Sequence, residues 1–349
     1  MLQFIGPGGE AVRELPDFAH DPKALVPLYR AMTFVRAFDE KAVALQRTGR
    51  LGTYASSLGQ EAVGVGLASA MRPEDVLLPS FREQSAMLWR GVTPVELLLY
   101  WGGDERGSDF KGPRRDFPIS IPVASHAPHA AGAALAMTLR GEKRVAVGVV
   151  GDGATSKGDF YEAINIAGIW GLPAVFVINN NQWAISVPRS RQTAARTLAQ
   201  KATAAGIPGD QVDGNDVVAV RDATRRALER ARAGEGPSVI EAVTYRLSDH
   251  TTADDAHRYR NDAEVSAHWK EEPLARLRDH LVRSGAWSKA EENALHEECT
   301  RHIAEAVEEY LATAAEPVTA MFDHTFAALP AALERQRAEA QHFAEPGRG

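Results

Sequence analysis

The chain has 349 residues, 44% of them hydrophobic and 24% charged, a composition typical of a globular protein with a substantial core. Its formal net charge of −7 argues against nucleic acid or an anionic membrane surface as the main partner. The apolar runs are shorter than the ~18 residues that would span a bilayer. The N-terminus shows no signal-peptide or transit-peptide pattern, and the single cysteine, Cys299, excludes an intramolecular disulfide framework. We therefore expect a cytoplasmic protein without a membrane partner.

The predicted elements alternate between helices and buried strands. Residues 1–22, rich in glycine and proline, are expected to form a loosely structured arm, and a helix is predicted from 24 to 49. A second helix of small residues follows in GQEAVGVGLASAM. Strands are then predicted at 76–80, 144–150, 173–181 and 237–246, and helices at 128–140, 159–170 and 216–234. Strands without polar alternation, separated by helices, are typical of a parallel sheet covered by helices on both faces.

The chain beyond about residue 273 is charged and helical, with no strand pattern. We interpret residues 273–325 as a helical C-terminal tail of a domain that spans 23–325, and residues 326–349 as a C-terminal extension. The expected fold class is α/β.

An acidic residue between two glycines follows one predicted strand. GDG, at 151–153, comes directly after the strand 144–150, and residues 154–179 separate it from Asn180 and Asn181 at the end of the next strand. The carboxyl ends of neighbouring parallel strands meet at one edge of a sheet, where ligands bind. Carboxylate and amide oxygens suit Mg²⁺ when substrate phosphates supply the remaining ligands. The glycines and the following helix N-terminus would admit a diphosphate.

Two other phosphate-binding loops disagree with this sequence in detail. A Walker loop needs lysine directly after a glycine, whereas Lys157 follows Ser156. A dinucleotide-binding loop needs a third glycine where Ser156 stands, and it would not contain Asp152.

The spacing from GDG to the asparagines is similar to the thiamine diphosphate motif. Over roughly residues 25–325 the chain resembles the α subunit of the E1 component of 2-oxo acid dehydrogenase complexes. The resemblance rests on these segments, in the family's order: LGQEAVGVG (58–66), LLPSFRE (77–83), IPVASHAPHAAGAA (121–134), GDGATSKGDFYEAINIAG (151–168), NNNQWAIS (179–186), IPGDQVDGNDVVAV (207–220) and YRLSDHTTADDAHRYR (245–260). It implies the diphosphate-binding half of a thiamine diphosphate-binding fold.

The resemblance also implies a role for individual residues. Mg²⁺ would be bound by the side chains of Asp152 and Asn181 and by the carbonyl of Trp183. The diphosphate would contact the backbone of three residues and the side chain of an arginine, namely Gly151, Gly153, Ala154 and Arg82. For Arg82 the alternative is a surface salt bridge.

Other positions would surround the rest of the cofactor. Ile121 would accept a hydrogen bond from the aminopyrimidine through its carbonyl, and Val123 would support the bent cofactor, unless it is an ordinary core residue. His250 would lie beside the cofactor as the catalytic histidine. Phe81 stands where many relatives carry tyrosine, so a hydroxyl contact to phosphate is replaced by packing. Regulation through phosphate is unsupported, because Thr251 replaces the serine that some relatives phosphorylate.

Three further residues lie near these positions. We expect His126 to be a weaker candidate for the mouth of the cofactor site and His129 to be a packing residue. We expect Arg246 to anchor the polar loop 248–260 rather than to contact substrate.

The implied reaction is the decarboxylation of a 2-oxo acid with thiamine diphosphate and Mg²⁺, followed by acyl transfer to the lipoyl group of an E2 core. The family arrangement is an α2β2 heterotetramer whose β subunit carries the activating glutamate. YWGGDERGSDF (100–110) and RTGRLGTYASSLGQEA (47–62) resemble bacterial chains that act on pyruvate, so pyruvate is favoured over branched-chain 2-oxo acids or acetoin. The alternative of another class is a non-catalytic cofactor-binding subunit.

Overall fold

The computed structural model describes residues 1–344, and the last five residues of the predicted C-terminal extension lie outside them. Thirteen α-helices are found in this part of the chain: α1 Val26–Arg47, α2 Glu61–Ala70, α3 Gln84–Arg90, α4 Pro94–Trp101, α5 His126–Leu139, α6 Gly158–Ile169, α7 Lys201–Ala204, α8 Val217–Arg232, α9 Asp262–His268, α10 Pro273–Arg283, α11 Lys289–Ala312, α12 Ala320–Asp323 and α13 Ala331–Phe343. Within residues 1–344, no helix combines the length and the hydropathy needed to cross a bilayer.

The strands are β1 Val76–Leu78, β2 Ala146–Gly151, β3 Ala174–Asn180, β4 Trp183–Ala184, β5 Val187–Pro188, β6 Gly209–Asp213 and β7 Ser238–Val243. Five of them form a parallel sheet in the order β1-β2-β3-β7-β6, and β4 and β5 form a separate antiparallel hairpin. The predicted parallel sheet is therefore confirmed. The sequence did not reveal β6, because GDQVD is a polar edge strand without an apolar run.

The sheet separates two apolar clusters. In β3, Val175 and Val177 belong to one cluster, whereas Phe176 and Ile178 belong to the other, since successive side chains of a strand point to opposite faces. Helices α1, α2, α8, α10 and α11 contribute to the first cluster, and α5 and α6 to the second. Both faces are thus covered, which explains why the strands are apolar without alternation.

The small-residue helix α2 lies inside the chain. Its residues Glu61–Ala68 are all buried, and a Cβ placed on Gly66 would lie 2.7 Å from the Cβ of Val220 in α8. The glycine permits this close approach of two helices. The small-residue helix α2 therefore packs within the chain, as does one face of the alanine-rich helix α5, whose Leu139 is 79% exposed.

The N-terminal arm is held more firmly than its composition predicts. Leu2 pairs with the edge strand β6, donating a 2.8 Å hydrogen bond to the carbonyl of Gln211. The carboxylate of Asp216 accepts hydrogen bonds from the backbone N–H groups of Phe4 (2.6 Å) and Ile5 (2.9 Å), and Ile5 is buried. The expectation of a loose arm is therefore wrong for its first residues, because an edge strand and a helix N-cap supply partners for its backbone.

Candidate functional site

The carboxyl ends of β2 and β3 lie side by side, and the chain leaves both through polar loops. Gly151 is paired with Asn179 across the two strands. After β2 the chain forms a 3₁₀ turn at Gly153–Ser156, and after β3 it forms the β4–β5 hairpin. A Cβ placed on Gly153 would lie 2.6 Å from the Cβ of Ala184, so glycine is needed at this position for the two loops to meet. The convergence that the motif spacing predicts is present.

Asp152 is buried at this edge of the sheet, with 2% of its surface exposed. Its Oδ2 accepts a 2.7 Å hydrogen bond from Nε2 of Gln192. Within residues 1–344, no lysine, arginine or histidine nitrogen lies within 4.0 Å of the carboxylate. Burial raises the pKa of Asp152, and the hydrogen bond from Gln192 offsets part of the increase. The carboxylate is thus held directly by a neutral amide, and positive charge acts on it from the more distant Arg246, so a bound cation would stabilise it.

Asn181 follows β3 at this edge, and the carbonyl of Trp183 accepts a 3.4 Å hydrogen bond from Nη1 of Arg246. Nδ2 of Asn181 donates a 2.9 Å hydrogen bond to Oε1 of Gln60, which fixes the orientation of the amide. Oδ1 of Asn181 accepts a 3.2 Å hydrogen bond from the backbone N–H of Trp183. In the described part of the chain, no group of three or more His, Cys, Asp or Glu side chains has the arrangement of a metal site. The assignment of one carboxylate, one amide and one carbonyl as an incomplete ligand set, which Mg²⁺ would complete with phosphate oxygens, stays a prediction.

Arg82 and Arg246 bring buried positive charge to the site. Arg82 donates to the carbonyls of Ser56 (2.5 Å) and His250 (2.9 Å), and Arg246 donates to the hydroxyl of Tyr259 (2.8 Å). Among the described residues, no carboxylate oxygen lies within 4.0 Å of either guanidinium. Burial, followed by the charge of Arg246, lowers the pKa of Arg82 to about 10. The surface salt bridge expected as the alternative for Arg82 is thus absent, and the two charges suit an anionic ligand.

His250 is placed between the two arginines. Its Nδ1 lies 3.2 Å from Nη2 of Arg82 and 3.3 Å from Nη1 of Arg246. Guanidinium nitrogens only donate, so Nδ1 accepts and the imidazole proton resides on Nε2. Burial and the charges of the two arginines lower the pKa of His250 to about 4. The imidazole is therefore neutral at pH 7 and has a hydrogen-bond donor at Nε2.

Phe81 packs against the same group of residues. Its ring meets the His250 imidazole edge-on, with the ring centroids 5.9 Å apart, and the Arg82 guanidinium lies 5.4 Å from its centroid. The contacts of this phenylalanine are those of a packing residue, as its sequence predicts.

The segment before α5 is open to solvent. Ile121 is 50% exposed and Val123 is 47% exposed, so the interpretation of Val123 as an ordinary core residue is wrong. Gly151 also borders open space, since a Cβ placed there would meet no atom within 4 Å. Ile121, Val123 and Gly151 are thus accessible, whereas the charged side chains of Asp152, Arg82 and Arg246 are buried.

Of the two histidines of α5, one departs from its expected environment. His126 is buried at the first turn of the helix, so it does not line an open mouth. His129 is exposed and stacks on Phe117, with the ring centroids 6.0 Å apart. The register of α5 against the sheet decides this difference, and the alanine-rich sequence does not reveal that register.

Sequence reasoning also missed the two glutamines that orient the metal-ligand candidates. Gln60 precedes α2 and lies 121 positions from its partner Asn181. Gln192 lies in a polar loop 40 positions from Asp152. Neither has a local pattern that reveals its role, because each acts through a contact between distant segments.

Comparison with known proteins identifies the family of this chain. Residues 29–318 match the family described as "Dehydrogenase E1 component". The chain belongs to this family. It is 41% identical to "Pyruvate dehydrogenase E1 component subunit alpha" of Staphylococcus aureus (strain Mu50 / ATCC 700699) over 339 residues, which cover 96% of this chain and 91% of that protein. The protein of the same name from Staphylococcus epidermidis (strain ATCC 12228 / FDA PCI 1200) matches with the same identity and coverage.

The structure thus confirms the predicted parallel sheet, and the comparisons confirm the predicted family. The members of its candidate site, from Arg82 to His250, come from loops that follow β1, β2, β3 and β7. Their assembly at one edge of the sheet is a consequence of parallel topology.

Proposed function

We propose that this chain is the α subunit of a thiamine diphosphate-dependent E1 that decarboxylates pyruvate and transfers the acetyl unit to a lipoyl group on E2. The observation that carries the proposal is the charge pattern of the site. Asp152, a buried carboxylate with no cation within 4.0 Å among the described residues, lies at the same sheet edge as Arg82 and Arg246, two buried guanidiniums that have no carboxylate within 4.0 Å there. A divalent cation together with a diphosphate would neutralise both.

In this assignment the side chains of Asp152 and Asn181 and the carbonyl of Trp183 hold Mg²⁺. Gly151, Gly153 and Ala154 let the backbone approach the diphosphate. When bound, thiamine diphosphate supplies the carbanion that attacks the keto carbon and stabilises the electrons left by CO₂. The residues of this chain bind, orient and partly desolvate that group.

Arg82 and His250 have different tasks in this proposal. The fixed donors of Arg82 bind phosphate oxygens, and the network with the carbonyls of Ser56 and His250 holds the guanidinium in place. His250, neutral and protonated on Nε2, can donate a hydrogen bond to phosphate or to a reacting oxygen. Ile121 and Val123 support the aminopyrimidine side of the cofactor.

A β subunit is proposed as the partner that closes the site. Large apolar residues are exposed on segments at the site, at Ile121, Val123, Ile185 and Val187, and at the far end of α6, at Ile166, Ile169 and Trp170. Exposed apolar surface of this kind marks interaction sites, and α6, which carries two of these residues and is followed directly by a third, starts just after the GDG turn. The expected assembly is an α2β2 heterotetramer with interfaces on the order of thousands of square ångströms. A cytoplasmic location stays a prediction.

The deciding experiment is reconstitution. The isolated chain is mixed with a β chain of the family, and decarboxylation is followed with an artificial electron acceptor while light scattering reports the assembly mass. We expect no activity from either chain alone and activity at equimolar mixing. Full activity from this chain alone, at monomer mass, would contradict the proposal. Calorimetric titration of the assembly with thiamine diphosphate and Mg²⁺ tests cofactor binding separately. Cofactor binding together with turnover would exclude the alternative of a non-catalytic subunit.

The substrate is tested on the same assembly. Steady-state rates with pyruvate, 2-oxoisovalerate and acetoin separate the three candidates, and we expect the highest kcat/KM for pyruvate. A higher kcat/KM for 2-oxoisovalerate would assign the branched-chain reaction instead.

A further inference from the structure

Lys201, in the short helix α7, is a buried lysine behind the GDG turn. Only 6% of its surface is exposed. Its Nζ donates hydrogen bonds to the carbonyl (2.6 Å) and the hydroxyl (3.0 Å) of Thr155, and it lies 5.2 Å from the ring centroid of Tyr161. Within residues 1–344, no carboxylate oxygen lies within 4.0 Å of the ammonium group. Lys201 is therefore hydrogen-bonded but has no counter-charge.

A buried ammonium without a counter-charge is unfavourable. Lysine is almost never fully buried unless it is paired, because its charge loses its hydration. Burial lowers the pKa of Lys201, and the charge of Arg189 acts in the same direction. The two hydrogen bonds satisfy part of the donor capacity of the ammonium, and negative charge nearby would stabilise its charged form further.

The contacts of Lys201 lead directly to the proposed metal ligand. The Thr155 hydroxyl donates a 2.7 Å hydrogen bond to the backbone carbonyl of Asp152, and the Thr155 N–H donates to the same carbonyl at 3.1 Å. Both residues are buried, and Thr155 belongs to the 3₁₀ turn Gly153–Ser156. Lys201 thus holds the residue that in turn holds the backbone of Asp152.

We propose that Lys201 is a positioning residue for the bound diphosphate, and that its charge, acting from behind the Gly153–Ser156 turn, strengthens diphosphate binding. This inference rests on the proposed function. Ala154 and Thr155 of the turn are buried, so the charge is screened less across them than in water and acts on an anion that it does not touch. Like Arg82 and Arg246, it is a buried cation without a carboxylate partner within 4.0 Å in residues 1–344. The diphosphate supplies the negative charge that the described protein residues do not.

The test separates the charge of Lys201 from its hydrogen bonds. Thiamine diphosphate is titrated calorimetrically, at saturating Mg²⁺, into the α2β2 assembly carrying Lys201→Gln, Lys201→Met or Lys201→Arg. Lys157→Gln is the matched control, because Lys157 directly follows the same turn but has a 52% exposed side chain that lies 3.5 Å from Asp159. Thermal melting of each variant without cofactor reports whether the fold is retained.

We expect Lys201→Gln and Lys201→Met to weaken binding about 10–100-fold, the range found when groups behind a ligand shell are removed. Lys201→Arg should recover most of the affinity, and Lys157→Gln should bind like the wild type. The KM for pyruvate at saturating cofactor should not change in Lys201→Gln, whereas a general distortion of the site would raise it.

Two results would overturn the inference, and a third would refute the proposed function. Lys201→Gln binding as tightly as the wild type would show that a neutral hydrogen-bond donor is sufficient. A loss in Lys157→Gln as large as that in Lys201→Gln would show a non-specific effect of net charge. A wild-type assembly that does not bind thiamine diphosphate with Mg²⁺ would instead refute the proposed function itself.

Discussion

Replacement of Asp152 by asparagine tests the metal-ligand assignment, because it removes a charge and retains the shape of the side chain. The carbonyl oxygen of the new amide can still accept the hydrogen bond from Gln192 that measures 2.7 Å in the wild type. Asp152 is buried and has no cation within 4.0 Å among the described residues, so its charge destabilises the cofactor-free fold. We therefore expect the free energy of unfolding of the cofactor-free Asp152→Asn chain to be unchanged or higher.

The binding of Mg²⁺ and thiamine diphosphate should respond in the opposite way. Loss of a group behind the ligand shell costs about 10–100-fold in metal affinity, so loss of a direct charged ligand should cost at least about 100-fold. At a ligand concentration of about 100 times the wild-type Kd, the wild type gains about 2.7 kcal/mol of stability. A variant with about 100-fold weaker binding would gain only about 0.4 kcal/mol under the same conditions.

Two measurements check this prediction. Urea unfolding of the assembly with and without cofactor gives the stability gain, and calorimetry gives the Kd for Mg²⁺. Asp210→Asn is the control, because Asp210 is an acid with a 56% exposed side chain on the edge strand β6, away from the site. An unchanged Kd for Mg²⁺ in Asp152→Asn would refute the assignment. A large loss of cofactor-free stability would show that the charge serves the fold instead.

Further predictions concern His250, the polar loop that carries it and the packing of α2. The pKa of His250, about 4 in the free chain, should rise when the diphosphate neutralises the neighbouring guanidiniums, and NMR of the imidazole measures this change. Because the pKa is lower in the folded chain than in the unfolded chain, this histidine lowers the free energy of unfolding as the pH falls from about 6.5 to 4. His250→Gln should remove that part of the pH dependence of stability. His250→Ala should reduce acyl transfer more than cofactor affinity. Protease should cleave loop 248–260 faster without cofactor, and equal rates would contradict ordering by the ligand. Gly64→Ala should destabilise the chain by about 1–3 kcal/mol, because the added Cβ would lie 2.8 Å from the backbone nitrogen of Ala86. Gly132→Ala in α5 is the control and should not reduce stability, because its Cβ would meet no atom within 4 Å. Urea unfolding of both variants measures the difference.

The strand-and-helix order could be predicted because it depends on local patterns. Apolar runs such as 144–150 and 173–181 indicate strands buried on both faces, and the parallel sheet confirms them. The GDG turn and the asparagines at 180 and 181 follow two of these strands, so their convergence is a consequence of topology. Polar segments that become ordered only through distant partners, such as β6 and the arm at Leu2, have no such local signal.

The sequence by itself therefore determined the family, the order of most sheet elements along the chain and the residues that follow the strand ends, because periodicity and motif spacing are properties of neighbouring residues. Only the tertiary structure decided which of these residues are buried and what they contact. It placed α2 in the core, left Val123 exposed, and buried Arg82, Arg246 and Lys201 without a carboxylate within 4.0 Å in the described chain. Burial and charge pairing depend on which surfaces contact each other in the folded chain, and the separation of residues along the sequence does not predict those contacts.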